Sequence, residues 1–220
     1  MTNNTHKVYE KTELINWFKE GCKSKNDWMV GTEHEKFAYN FSNSKNKYVP
    51  LSYHGNKGIK VLLEEVSKLG WKSVYENGNI IGLKKKSQSV TLEPGGQIEL
   101  SGAPLKDLHS TCKETNEHLK LFKEVGKKLD ILLVGLGVRP NEDLEDIPLM
   151  PKERYLIMRD YMPSKGNKGL EMMHSTCTVQ ANLDFESEED MVRKTSLAVK
   201  IQPIITALFA NSSLYKGKPN

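Results

Sequence analysis

The sequence predicts an α+β fold organised around an antiparallel sheet. Three observations carry that prediction. Strand-like runs with two-residue alternation are joined in places by short polar turns, which suits antiparallel pairing. Amphipathic helical stretches fall between these runs without the regular strand–helix–strand rhythm of a parallel sheet. No internal repeat or low-complexity linker divides the 220 residues.

Each element follows from local pattern. Leu14, Ile15, Trp17 and Phe18 make an apolar stripe at helical spacing, with Thr12 placed to cap it. Met29 to Phe41 reads as a first strand and the polar run Ser42 to Lys47 as a loop. Val61, Leu62, Leu63, Val66 and Leu69 build a second amphipathic helix that stops at Gly70. Ile80 to Leu83 and Val90 to Leu100 are strand candidates joined by a polar turn. Pro104 opens a long helix reaching about Leu129, with Leu105, Leu108, Cys112, Leu119, Phe122 and Val125 as its apolar positions. Ile131 to Val138 reads as a buried strand, Asn141 to Asp146 as an acidic loop, and Pro151 to Tyr161 as a helix with proline at a permitted start. After the glycine-rich turn Gly166 to Gly169, Cys177, Val179, Ala181, Leu183 and Phe185 alternate with Thr176, Thr178, Gln180, Asn182 and Asp184. Ser187-Glu-Glu-Asp190 opens the last helix, with a kink expected at Pro203.

Composition narrows the function classes. Hydrophobic content of 37% and charged content of 27% fit a soluble globular protein. The net charge of +4 comes from scattered lysines, and Lys84 to Lys86 is the only basic run, so a nucleic-acid binder is not indicated. No apolar stretch approaches the length of a membrane span. Met1 to Lys7 lacks the apolar core of a signal peptide. Cys22, Cys112 and Cys177 are an odd, widely spaced set without a CxxC pair, which makes a reducing cytoplasm the expected compartment. Neither GxxxxGK[ST] nor GxGxxG after a strand is present, so nucleotide would be handled without those folds.

Chemistry concentrates in two strand-like segments. Glu33 and Glu35 lie in Gly31-Thr-Glu-His-Glu-Lys-Phe37, and alternation turns both toward the same side as Phe37. Glu93 and Glu99 lie in Leu92-Glu-Pro-Gly-Gly-Gln-Ile-Glu-Leu100, where proline and two glycines permit either a bulge or a tight turn. Carboxylates so close repel one another unless a cation sits among them, and clustered hard oxygens suit Mg2+. Ordinary surface acids are the competing reading. The row Thr176, Thr178, Gln180, Asn182, Asp184 carries short oxygen-bearing side chains and no Lys or Arg, which fits a lined cleft or one solvent-facing side of a strand. Arg154, beside Tyr155, is suited to gripping a carboxylate through two parallel hydrogen bonds, whereas Arg159, five positions on, turns away from it on an ideal helix. His34 faces the other side of its strand and reads as a hydrogen-bonded structural histidine. Cys112 and Cys177 read as packing residues on apolar faces.

Taken together, Val30 to Phe37, Leu92 to Pro104, Arg154 to Pro163, Thr176 to Asp184, Gln202 to Asn211 and Gly217 to Asn220 resemble the plant and proteobacterial type of glutamate–cysteine ligase, from about Tyr9 to the last residue. The resemblance implies a glutamine-synthetase-like catalytic domain, its antiparallel sheet curved into part of a funnel with helices outside. It implies an ATP- and Mg2+-dependent ligase that joins glutamate to cysteine through a γ-glutamyl phosphate. By motif position Glu33, Glu35, Glu93 and Glu99 match metal-binding carboxylates, and Gln180 stands where a more distant branch carries a histidine ligand. Arg154, Tyr155 and Thr178 match positions near the amino-acid substrates. No general base is assigned. The implied partners are glutamate, cysteine and ATP, with room for a homodimer and none for nucleic acid or membrane.

The family continues beyond the position of Asn220, so residues 1–220 are expected to be the N-terminal part of one catalytic domain and inactive alone. Cys112 matches a cysteine that plant members use in a redox disulfide, whose partner would lie past that point. The lysine-rich composition and the N-terminus lead to the expectation of a bacterial cytoplasmic protein. Ligation to a different amine, metal-dependent hydrolysis on the same carboxylates, and a non-catalytic truncated domain remain as alternatives.

Overall fold

Val30 to Ser42 alternates polar and apolar residues over 13 positions and forms one long strand, β1. The computed structural model containing it describes residues 10–220, so Met1 to Lys7, read above for a targeting signal, and Tyr9, where the resemblance begins, lie outside the described residues. In chain order the other elements are α1 (Lys11–Glu20), β2 (Lys47–Pro50), α2 (Ile59–Ser67), β3 (Lys72–Glu76), β4 (Asn79–Lys85), β5 (Gln88–Leu92), β6 (Ile98–Ser101), α3 (Leu108–Leu129), β7 (Ile131–Val134), α4 (Glu153–Tyr161), α5 (Gly169–Ser175), β8 (Val179–Leu183), α6 (Glu188–Leu208), β9 (Leu214–Tyr215) and β10 (Lys218–Pro219). The expected α+β class with a mostly antiparallel sheet is what forms, and the sheet does not close into a barrel.

The described chain divides into two compact units. The larger holds Gly31–Ala181 and Ala210–Asn220. Its sheet runs in the order β2-β1-β6-β5-β4-β3, with β7 and β8 also paired to β1. β1 changes partner along its length: Glu33 to Lys36 face Ser101 to Ile98 of β6, and Phe37 to Asn40 face Val134 to Ile131 of β7. One face of the sheet is covered by α2 and α3. There Leu62, Leu63 and Val66 meet Phe122 and Val125 over Ile80, Leu83, Val90, Leu92 and Ile98. The opposite face carries Phe37, Tyr39 and Cys177. Period-two alternation therefore assigns odd residues of β1 to one side and even residues such as Ala38 to the helix-packed side.

The smaller unit holds residues 10–30 with Asn182–Phe209. Asp184 organises it, pairing with Lys23 at 2.8 Å and accepting the Met29 N–H at 2.9 Å. Ser187 caps α6 by accepting the Asp190 N–H, and Lys194 lies 3.5 Å from the centroid of the Trp28 ring. α6 continues through Pro203 to Leu208.

Several local readings are corrected. The cap of α1 is Glu10 rather than Thr12, and the Glu10 N–H donates to the Glu13 carboxylate. α2 ends at Ser67, leaving Leu69 exposed. Val90 to Leu100 is two strands rather than one, because Pro94 and Gly96 close a hairpin: the Gly96 N–H reaches the Glu93 carbonyl at 2.8 Å and Gly96 takes φ +79°. α3 starts at Leu108 because Asp107, not Pro104, supplies the cap, accepting from the Ser110 N–H at 2.8 Å. Its first turns stand clear of the sheet, so Leu108 and Cys112 are exposed and the buried face is Glu114, His118, Phe122 and Val125. α4 starts at Glu153, and Lys152 before it is buried. The strand expected over Ile131 to Val138 keeps only Ile131–Val134, and of the alternating row from Cys177 to Phe185 only Cys177 is buried. β2, β3 and α5 form without having been expected.

The corrected face of α3 is testable by urea unfolding. Phe122→Ala, at a position 1% exposed, is expected to cost about 3–5 kcal/mol. Leu108→Ala, at a position 80% exposed, is expected to stay within about 0.5 kcal/mol. Equal losses at both positions would contradict the assignment.

Candidate functional site

The register of the sheet brings the predicted carboxylates together. Glu35 on β1 stands directly opposite Glu99 on β6, and Glu33 opposite Ser101. On the next strand Thr91 stands opposite Glu99 and Ser89 opposite Ser101. The hairpin returns Glu93 to the side of the sheet that Thr91 and Glu99 occupy, since alternation sends Leu92 into the core. The Thr91 hydroxyl donates to Glu99 at 3.3 Å and the Ser101 hydroxyl at 2.6 Å. Glu33, Glu35, Glu93 and Glu99 thus line the face that α2 and α3 leave uncovered.

From the polar row, Thr178 and Gln180 join this face. The Thr178 hydroxyl and N–H donate to the two oxygens of Glu35 at 2.9 and 3.2 Å, and the Glu35 N–H returns to the Thr178 carbonyl at 3.1 Å. Gln180 donates through Nε2 to the Thr178 hydroxyl at 3.2 Å. Thr178 and Gln180 are exposed, so both are open to a ligand approaching this face.

Cations stand on the opposite rim. Arg154 Nη2 lies 3.7 Å from Glu93 and donates to the Tyr155 hydroxyl at 3.0 Å, with the guanidinium 4.9 Å from the Tyr155 ring centroid. Tyr155 in turn donates to the Leu92 carbonyl, and Lys152 Nζ reaches the same carbonyl at 2.6 Å. Lys152 and Tyr155 are buried, which anchors the start of α4 to the residue immediately before Glu93. The exposed Arg154 side chain is therefore presented by a fixed neighbour.

Electrostatics follows from this crowding. Burial, reinforced by Glu99, pushes the Glu93 carboxyl up to about 7 even though Lys152 and Arg154 oppose the shift. Burial also raises Glu35, against the stabilising hydrogen bonds of Thr178 and with Glu99 and Glu33 adding to the rise. Burial lowers Lys152, and it raises the Tyr155 hydroxyl well above the ordinary phenol range. A hard cation bound here would relieve the repulsion among the carboxylates. Among the described residues no three His, Cys, Asp or Glu side chains converge tightly enough to enclose a metal ion. Open rows of carboxylates fit Mg2+, which keeps several waters and combines one or two carboxylates with ligand phosphates. The donor set fits that ion.

The other predicted residues lie elsewhere. His34 is on the helix-packed side, where its Nε2 lies 3.2 Å from the Thr32 hydroxyl and 3.3 Å from that of Thr115. Sequence reading missed Thr91, Ser101 and Lys152. Alternation along Gln88 to Leu92 marks Thr91 once the Pro-Gly-Gly turn is read as a hairpin, and Lys152 sits two positions before Arg154.

Comparison with known proteins gives this arrangement a context. The family model described as glutamate-cysteine ligase family 2 (GCS2) matches residues 29–220. The chain is 51% identical over 211 residues to the chloroplastic glutamate–cysteine ligase of Nicotiana tabacum, covering 96% of this chain and 39% of that protein. It is 50% identical to the chloroplastic glutamate–cysteine ligase A of Oryza sativa subsp. japonica over 210 residues, 96% of this chain and 42% of that one. With the Arabidopsis thaliana protein of the same name as the tobacco one, identity is 49% over 211 residues, again 96% of this chain and 39% of the relative. The chain thus spans about two fifths of the length of these relatives. Their names overturn the expectation of a cytoplasmic protein, because each is chloroplastic. Lysine content, cysteine spacing and the N-terminal residues carried that expectation, and none of them records a compartment. With the family model matched from the start of β1 to the final residue, the chain belongs to glutamate-cysteine ligase family 2.

Proposed function

We propose that the protein joins the γ-carboxylate of glutamate to the amine of cysteine at the expense of ATP, through a γ-glutamyl phosphate, as the first step of glutathione synthesis. The observation that carries this reading is the apposition of one carboxylate-lined sheet face with Arg154, held by Tyr155 at the rim. A ligase of this kind needs a site for a metal–triphosphate and a separate cationic grip for an amino-acid carboxylate. Both are supported here by residues on one face.

Glu33, Glu35, Glu93 and Glu99, with Gln180 beside them, are the residues that would hold Mg2+. Bound there, the ion supplies charge neutralisation for the phosphate oxygens during phosphoryl transfer. The chain's own groups do the positioning. Arg154 binds a substrate carboxylate through its fork of donors, and the Tyr155 hydroxyl fixes the fork's direction. Thr178 holds Glu35 in place while leaving its exposed side open to the amino-acid substrates. Glutamate's γ-carboxylate oxygen attacks the terminal phosphorus of ATP, ADP leaves, and the cysteine amine then displaces phosphate to form the amide.

Phosphate release by the full-length protein, measured with ATP and glutamate, is expected to rise on adding cysteine. A greater rise with another amine would reassign the acceptor, and turnover without ATP would favour hydrolysis. Glu33→Gln or Glu93→Gln is expected to lower turnover by roughly a hundredfold or more with circular dichroism unchanged. Near-wild-type turnover at saturating Mg2+ would remove these residues from the metal site.

The raised Glu93 carboxyl makes a separate pH prediction. Between its ordinary value near 4.5 and about 7 the folded chain holds a proton that the unfolded chain releases, so stability is greatest below that window and falls as pH rises through it. In EDTA, urea unfolding is expected to show a loss on the order of 2–3 kcal/mol from about pH 4 to about pH 8. Glu93→Gln is expected to flatten that loss and Mg2+ to oppose it. A wild-type slope unchanged by Glu93→Gln would sink the assignment.

A further inference from the structure

Two buried side chains outside the carboxylate row tie its parts together. Gln97, 1% exposed, accepts the Gly95 N–H at 2.9 Å through Oε1 and donates through Nε2 to the carbonyls of Met173 at 3.2 Å and Thr176 at 2.6 Å. Arg139, also 1% exposed, donates through Nη2 to the Gly95 carbonyl at 2.7 Å and through Nε to the His174 carbonyl at 3.3 Å. Its own N–H takes the Ser175 carbonyl at 2.9 Å. The four consecutive carbonyls of residues 173–176, which a helix end leaves without intrahelical donors, are thus all engaged by these two residues. Both polar groups of the Gly95 peptide backbone are engaged as well. The fit is close: a Cβ on Gly95 would stand 2.2 Å from the His174 carbonyl oxygen.

The bonds have a direction. Gly95 is two residues from Glu93, and Thr176 is two residues from Thr178, which grips Glu35. The Arg139 guanidinium also lies 4.3 Å from the ring centroid of Phe37, the next residue of β1 on the same side as Glu35. We propose that Gln97 and Arg139 are positioning residues that set the separation of Glu93 from the Glu35–Thr178 pair. This rests on the proposed function for its consequence, since the two carboxylates would share the metal–triphosphate, but the tie itself does not depend on the reaction.

The test uses Gln97→Met, which keeps the volume and removes the three bonds, and Arg139→Lys, which keeps the charge but not the fork and serves if the first variant fails to fold. Val125→Ala, in the core beneath α3, is the control for general loss of stability. Amide exchange at Thr178 and Glu35 is expected to accelerate at least about tenfold in either variant and not in the control. In turnover, the Mg2+ concentration for half-activation is expected to rise about tenfold or more, with the control unchanged. Unchanged protection at Thr178 and Glu35 overturns the proposal, and so does an equal rise in the Mg2+ requirement for Val125→Ala. Absence of cysteine-stimulated turnover in the wild type overturns the functional reading instead, and the exchange measurement then decides the tie by itself.

Discussion

The rest of the structure depends on the register of β1 against β6. A strand alternates faces with a period of two, so a slip of one residue would send every side chain of β1 to the wrong side. In the observed register Glu33 and Glu35 look outward while Ala38 packs with α2 and α3 against the core. The same strand then exchanges β6 for β7 and β2 as partners, so two stretches of sheet inherit one alternation. The apolar side of that alternation supplies the driving force for burial, and the outward carboxylates are held close by a core they do not contribute to.

Holding acids together is unfavourable, and the surroundings of this row show how it is arranged. Short hydroxyl side chains, Thr91, Ser101 and Thr178, donate to the carboxylates without neutralising them. The two nearby cations are kept to one rim, and Lys152 spends its shortest bond on the Leu92 carbonyl rather than on an acid. A row of carboxylates fully paired with arginines would have little affinity for an incoming cation. This one keeps its cations to one rim and is steadied from the sides.

Much of this was legible in residue pattern. β1, α2, the long helix and the outward glutamates follow from periodicity, because each pattern is long enough to select one structure. The exceptions share a cause. β2 has 4 residues, β3 has 5 and α5 has 7, too few for a period to declare itself, and they exist through their partners. On α3 the polar Glu114 and His118 are buried while Leu108 is not, because the sheet's edge decides where contact begins. Pro94 and the glycines after it were ambiguous between bulge and hairpin until the pairing of Leu92 with Ile98 was known. Gln97 and Arg139 stand apart from any pattern for the same reason: the bonds that tie them across the fold go to backbone groups remote in sequence, which no side-chain pattern advertises.

Cys177 packs with Phe37 and Tyr39 on the face of the sheet opposite α2 and α3, next to the residue that grips Glu35. Burial, with the Glu35 charge adding, pushes its thiol up to about 12, whereas Cys112 is exposed and Cys22 half-covered. Alkylating reagents consume thiolate, so Cys177 is withheld both by its cover and by its raised thiol. Labelling therefore begins at the exposed Cys112, and the far slower modification of Cys177 keeps time for the parting of the Thr178 segment from β1: a chemical clock already installed beside the carboxylate row.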